Sequence, residues 1–357
     1  MALPASGQIT MNQVNVELGN SGTAQISMND ADVRGLFGIA SGEIEMADGY
    51  GQSNVAWYGE RGVFAGQGAY PGMLTMQYIT IATTGNASIF GDLSAPTNGK
   101  AYSSHVSDGS RGVMAGGMAW NVGWATNDMS YITFATTGNS TDFGDLNRSD
   151  HVMAAVSNGP RGVFAGGSYR PGYRYFTDEI SYITIASTGN AIDFGNLLSP
   201  PSNNYWAYQV GASNGTRGLI AGNGQYVPSN VMQYITIDTT GNATDFGDLT
   251  VARGGMGGAN GGDRAVFAGG YWEVNTGNPQ KIIDYVSIPT AGNATSFGNL
   301  ASLKSTCSGT SDNSRAVFHN GNGNELEYIT ISTTGNATDF GDLVYTGEMI
   351  GNNASGT

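Results

Sequence analysis

Basic residues are scarce: 14 Lys and Arg stand against 28 Asp and Glu in 357 residues, a formal net charge of −14. Nucleic-acid phosphates demand a basic footprint, so nucleic acid is excluded as a partner. An anionic membrane surface would repel the chain for the same reason. A single cysteine, Cys307, allows no intrachain disulfide and leaves the redox compartment open. It reads as a small buried hydrophobe. No apolar run reaches membrane-spanning length, so no membrane insertion is expected. Met1-Ala-Leu-Pro has neither a basic nor an apolar leader character, and no secretory signal is expected. Histidines number three, His105, His151 and His319, and no two have metal-ligand spacing. No nucleophile has a neighbouring base. The sequence therefore assigns no catalytic residue, no metal and no cofactor.

Glycine is abundant, 56 residues, while charged residues make up only 12%. Both fit many short strands joined by tight turns. The glycines follow a repeat, so a collagen or low-complexity reading fails. The clearest copy runs Arg161-Gly-Val-Phe-Ala-Gly-Gly167, then a loop, then Tyr182-Ile-Thr-Ile through Asp193-Phe-Gly-Asn-Leu197. Other copies open at Arg61, Arg111, Arg217, Arg264 and Arg315. A period near fifty residues means a repeat architecture. Each copy divides into four strand-like pieces, in the third copy roughly 151–157, 161–167, 180–187 and 191–197. Alternation with β-branched and aromatic residues marks strands, and Asn-Gly or Thr-Gly-Asn marks the turns. Six such sheets predict an all-β, six-bladed β-propeller over residues 54–357. The tail 344–357 aligns with 251–264, a first strand without a second. It is expected to pair beside Arg61–Gly66 and close blade one, removing exposed edges. The rival inner strand is 55–58.

The six arginines hold one place in every blade, so they are read as structural. An Arg–Asp contact is expected, with Asp142, Asp193, Asp245 and Asp339 as partners. Asn86, Asn139 and Asn242 open Asn-X-Ser/Thr triplets in turns where local geometry already explains them. In a four-stranded meander, the second-to-third and fourth-to-first loops share one face of the ring. Here those loops vary in length and carry aromatics: Tyr70, Trp120, Trp124, Tyr169, Tyr173, Tyr175, Phe176, Tyr205, Trp206, Tyr226, Tyr271 and Trp272. A rigid scaffold with variable loops on one face is the layout of a binding surface, and Tyr and Trp suit protein or sugar contacts. The alternative is that these aromatics pack together and cap the ring.

Residues 1–53 form a different unit. Three phrases recur around Ile9, Ile26 and Ile44, each alternating like a short strand, and Asn12 and Asn29 are expected helix caps. A small α+β module is expected, too small to stand alone without docking. Its run Leu3-Pro-Ala-Ser-Gly-Gln-Ile-Thr-Met-Asn-Gln-Val-Asn-Val-Glu-Leu-Gly19, with Ser27-Met-Asn-Asp-Ala-Asp-Val-Arg-Gly-Leu36 and the closing Asp48-Gly-Tyr-Gly, resembles an N-terminal module of tailed-bacteriophage virion proteins. The resemblance implies a virion location, in tail, neck or fibre. It also implies attachment to other virion proteins through residues 1–53, and several copies per particle.

The blade repeat resembles kelch. Its double glycines are Gly116-Gly117, Gly166-Gly167 and Gly269-Gly270, and its fourth-strand aromatic is Phe where kelch carries Trp. The resemblance speaks to fold and is silent on activity. Together these readings predict a non-enzymatic virion protein whose loop face meets host surface glycan, a receptor or a neighbouring virion protein. The alternatives are a glycan-degrading surface enzyme and a bacterial lectin or adhesin.

Overall fold

The computed structural model describes residues 10–18, 26–28, 30, 33, 36, 59–65, 74–94, 100–119, 124–169, 176–198, 207–224, 228–271, 280–321, 323–346, 351–352 and 354–356. Structural statements below concern these residues. The chain divides into two compact units, Met1–Ala56 and Trp57–Thr357.

The first unit contains a helix, Met11–Glu17. Its cap is Thr10, not the expected Asn12. Gln13 N–H donates to Thr10 Oγ1 at 3.3 Å, and Thr10 N–H donates to Gln13 Oε1 at 2.7 Å. This reciprocal box satisfies two amides that would otherwise lack partners. Asn29 lies outside the described residues. Val14, Val33 and Leu36 form a small core with Leu18, Ile26 and Met28 packed on it. Ile26 and Ser27 are not in a strand. Most of the other two strand phrases lies outside the described residues.

The second unit is a six-bladed β-propeller. Blade three is typical: Ala154–Ser157, Arg161–Ala165, Glu179–Thr184 and Ile192–Asn196 pair antiparallel in chain order, innermost to outermost. Most of these strands are shorter than the pieces read from the sequence, the first beginning at Ala154 and the third ending at Thr184. The second strand is buried on both faces, since each blade is sandwiched between two others. Core clusters accordingly straddle blades: Val106, Val113 and Phe143 of blade two pack with Ala155, Phe164 and Ile183 of blade three.

The repeated words weld one blade to the next. Arg111 places its guanidinium 4.3 Å over the Tyr131 ring of its own blade and donates Nη1–H to Ile185 O of the next at 3.0 Å. Arg161 does the same to Ile237 O at 2.9 Å, Arg217 to Ile288 O at 3.3 Å and Arg264 to Ile331 O at 2.8 Å. Arg61 bonds Phe134 O, and Arg315 closes the circle on Ile81 O at 3.0 Å. These carbonyls replace the expected Asp partners. Magnitudes explain the choice: an exposed Arg–Asp pair contributes about 0–1 kcal/mol. A charge-assisted bond to a carbonyl contributes about 1.5–3 kcal/mol, and the ring adds about 0.5–1 kcal/mol.

The Thr-Gly-Asn turns form a second seam. Asn139 Oδ1 accepts from Asp92 N–H and Asn190 Oδ1 from Asp145 N–H, both at 3.0 Å, each reaching the preceding blade's outer strand. The pattern runs round the ring to Asn86, which accepts from Asp342 N–H at 3.1 Å. A Cβ on Gly144 would stand 2.5 Å from Gly189 O, so the close approach of blades requires glycine there.

Blade one is completed from the far end of the chain. Ala354–Gly356 pairs antiparallel with Arg61–Phe64, with Gly62 opposite Ser355. Only part of the tail does this. Val344 and Tyr345 are exposed and lie outside any strand, and Gly351–Asn352 pairs in parallel with the innermost strands of blades five and six. Those two blades therefore join in one nine-stranded sheet rather than two separate four-stranded ones. The rival closing segment, residues 55–58, lies outside the described residues.

Candidate functional site

A ligand could meet the ring axis, the variable-loop face, or an open cleft of about 330 Å³ on the outer strands of blades five and six, lined by Phe297, Tyr328, Thr330 and Thr338. The axial cavity measures about 50 Å³, room for a few waters and too little for a sugar ring. Each blade gives it a polar side chain from its innermost strand, Ser107, Ser157, Ser213, Asn260, Ser311 and Ser355, and blades two and six add His105 and Thr310. Hydroxyls there are spent on neighbours. Ser213 donates to Ser157 O and Ser355 to Ser311 O, both at 2.7 Å. This ring holds the inner strands together.

On the loop face the predicted aromatics divide. Trp120, Tyr173, Tyr175, Tyr205, Trp206, Tyr226 and Trp272 lie outside the described residues. The Trp124 backbone pairs with Ala119 in a small hairpin, Met118–Ala119 with Trp124–Ala125, that extends the blade-two loop. Tyr169 is half-buried at the start of the blade-three loop, with the Arg148 guanidinium 4.7 Å above its ring. Tyr271 is buried, edge-on to Tyr208 at 5.9 Å. It fills a slot left by Gly224 and Gly255, where a Cβ would stand 2.7 Å from its ring atoms or hydroxyl. Tyr271 thus packs within the ring. Phe176 bridges Ser168, which bridges His151, so both ends of the blade-three loop are pinned to the start of that blade's first strand.

A set of charged residues escaped the sequence reading. Lys100, Asp150, Arg253 and Lys304 all stand eleven residues before their repeat's arginine, in the crossover between blades, and all are buried. Lys100 pairs with Asp128 at 2.7 Å, Arg253 with Asp284 at 2.9 Å, and Lys304 with Glu327 at 3.0 Å. Each clamps the crossover to the third strand of the blade it enters. Burial lowers the Lys100 and Arg253 pKa values, opposed by Asp128 and Asp284 respectively. The change of sign at Asp150 hid the pattern.

Asp150 has only the Arg148 Nε–H, at 3.2 Å, as counterion, and its Oδ1 has no partner. Burial pushes its carboxyl up to about 6, outweighing Arg148 and reinforced by Glu179. A raised carboxylate pKa means that the fold disfavours the charged form. That penalty is absent below about pH 4, grows as pH rises through 6, and is full above it. Asp150→Asn is therefore expected to raise the melting temperature at pH 8 by on the order of 2–5 °C, with the gain shrinking toward zero near pH 4. Differential scanning calorimetry at both pH values checks this.

The histidines are held inside. Ser103 Oγ lies 2.9 Å from His105 Nε2, His151 Nδ1 meets Ser168 O at 2.6 Å, and His319 Nε2 meets Gly323 O at 3.0 Å. Burial pushes their pKa values down, to about 3 for His105 and about 4 for His151 and His319, so all three are neutral at physiological pH. Burial also pushes the Cys307 thiol up to about 12, which leaves it unreactive. Among the described residues no group of three His, Cys, Asp or Glu is placed to hold a metal ion. No protein-family model matches the chain, and no curated protein matches it either.

Proposed function

We propose that the chain is a non-enzymatic structural component of a tailed-phage virion, in the tail, neck or fibre. Residues 1–53 would attach it to other virion proteins. The kelch-like propeller would present its loop face to host surface glycan, a receptor or a virion neighbour, in several copies per particle. The phage assignment rests on the resemblance of residues 3–19, 27–36 and 48–51. The binding assignment rests on one observation, the division of labour between the two faces. The short-turn face spends its repeated Arg and Asn side chains on seams between blades. The loop face varies from blade to blade and carries Tyr169 and Trp124 on loops anchored to the ring. The neutral, internally bonded histidines favour binding over bond breaking, against the glycan-degrading alternative. Peptide mass spectrometry of purified phage particles tests the assignment, because a structural component co-purifies with them.

A further inference from the structure

One crossover breaks the rule of the buried clamps. Lys100, Arg253 and Lys304 each bring a cation to an acid on the third strand of the blade they enter. Lys304 Nζ, fully buried, lies 3.0 Å from Glu327 and 3.2 Å from Glu325. Blade three keeps the third-strand acid. Glu179 pairs with Asn196 in the register where Asp128 pairs with Asp145 and Glu325 with Asp342. Its crossover, however, carries Asp150 at the position of the cations. Two carboxylates therefore share the place that an ion pair fills in the other blades.

The shorter side chain leaves a cavity of about 10 Å³, lined by Asn147, Arg148 and Asp150 of the crossover and by Glu179 and Ser181 of the third strand. Met153 and Phe164 supply its apolar wall. That volume suits one occupant of the size of a water. Asp150 is only 9% exposed, and its Oδ1 has no partner. Its Oδ2 accepts from Arg148 Nε–H at 3.2 Å, and Glu179 Oε1 accepts from Asn147 Nδ2 at 3.3 Å. Two carboxylates thus stand against one guanidinium, and a buried charge without full compensation is costly. A water bridging Asp150 Oδ1 to Arg148 Nη2, which is also without a partner, would satisfy hydrogen bonds and leave the charge unbalanced. A cation supplies the charge that Lys100, Arg253 and Lys304 supply elsewhere. Carboxylate, amide and hydroxyl oxygens suit a hard cation, which retains waters where protein ligands are few, and such a water can accept from Nη2.

We propose that Asp150 and Glu179 hold a hard inorganic cation, of the calcium or potassium kind, in place of the crossover ammonium. It clamps the crossover to the third strand as the ion pairs do in the other blades, and it does not depend on the virion reading. The test is thermal melting of the full chain at pH 8 and constant ionic strength, with choline exchanged for potassium or for calcium. Choline is too large for the cavity and controls for screening of the −14 net charge. The expected result is a rise of at least about 2 °C with one of the two ions. The rise should be lost in Asp150→Asn and in Glu179→Gln. It should persist in Asp178→Asn, which removes an exposed acid outside the cavity. Which ion acts distinguishes divalent from monovalent occupancy. The rise should also vanish near pH 4, where the Asp150 carboxyl, pushed up to about 6 by burial, is protonated. Among the described residues, Arg148 and Glu179 are the ionisable groups that line the cavity with it. The gain from Asp150→Asn described above is then largest in choline and shrinks with the binding ion present. Equal melting in all three salts would identify water as the occupant and overturn the proposal, as would a rise that survives in Asp150→Asn.

Discussion

Removing residues 351–357 is expected to abolish the single cooperative unfolding transition of the propeller. The segment is short, yet it closes the circle at several points. Ala354–Gly356 covers the open edge of Arg61–Phe64, and Ala354 is buried with Met114 and Phe134 in the core between blades one and two. Ser355 Oγ donates to Ser311 O of blade six at 2.7 Å, and Gly351–Asn352 ties the innermost strands of blades five and six. Without the segment, blade one loses its innermost strand and exposes an unpaired edge, and the junction of blades six and one is left to the Arg315 and Asn86 seams and to the core around Phe64 and Phe340. Thermal melting should show a fall of more than about 10 °C and a broadened or multiple transition, given a change of roughly 2–4 °C per kcal/mol lost. A synthetic peptide of residues 347–357 should restore part of the loss when added to the truncated chain. An unchanged melting curve after truncation would mean that the seams alone hold the ring.

The second large effect is expected at the clamp between blades four and five. Asp284→Ala leaves the Arg253 guanidinium fully buried and without its counterion, at a cost of about 3–5 kcal/mol. Two carbonyls still accept from Arg253, Ile282 O at 2.8 Å and Phe267 O at 3.2 Å, but neither supplies charge. Thr250 also loses its bond to Asp284 Oδ1 at 2.6 Å. Burial and Coulomb attraction oppose each other here, and burial is the larger influence on Arg253. Removing both charges should therefore hurt less than removing one. Arg253→Met with Asp284→Leu is expected to recover most of the loss, because well-packed apolar residues often substitute for a buried pair at no net cost. Urea unfolding of the parent, single and double variants measures all three.

The repeated arginines show what a sequence can and cannot display. Their shared position pointed to a structural role, but their partners are backbone carbonyls such as Ile185 O, which no residue letter records. The turn asparagines were legible as turn formers for the same reason. Their bonds to the neighbouring blade, as from Asp145 N–H to Asn190, depend on how blades stack. Ring closure was readable because the tail repeats the pattern of 251–264. The bend of Gly351–Asn352 onto blades five and six was not, since glycine there carries no directional signal. Thr10 was readable and missed: Gln13 stands three residues after it, completing a capping box that Asn12 cannot form. The crossover charges kept their spacing but changed sign at Asp150, and their partners lie on a different strand. Among the loop aromatics, Tyr169 and Tyr271 look alike in sequence. Only the two facing glycines, Gly224 and Gly255, make Tyr271 a core residue.

The repeated words build the seams between blades, and membership of a virion is the central proposal for the chain. Quantitative peptide mass spectrometry of gradient-purified phage particles tests it most directly. Peptides of this chain should co-purify with the tail or fibre proteins at a constant ratio through successive gradients. Particles that lack these peptides, or a ratio that falls toward zero as purity rises, would contradict the account.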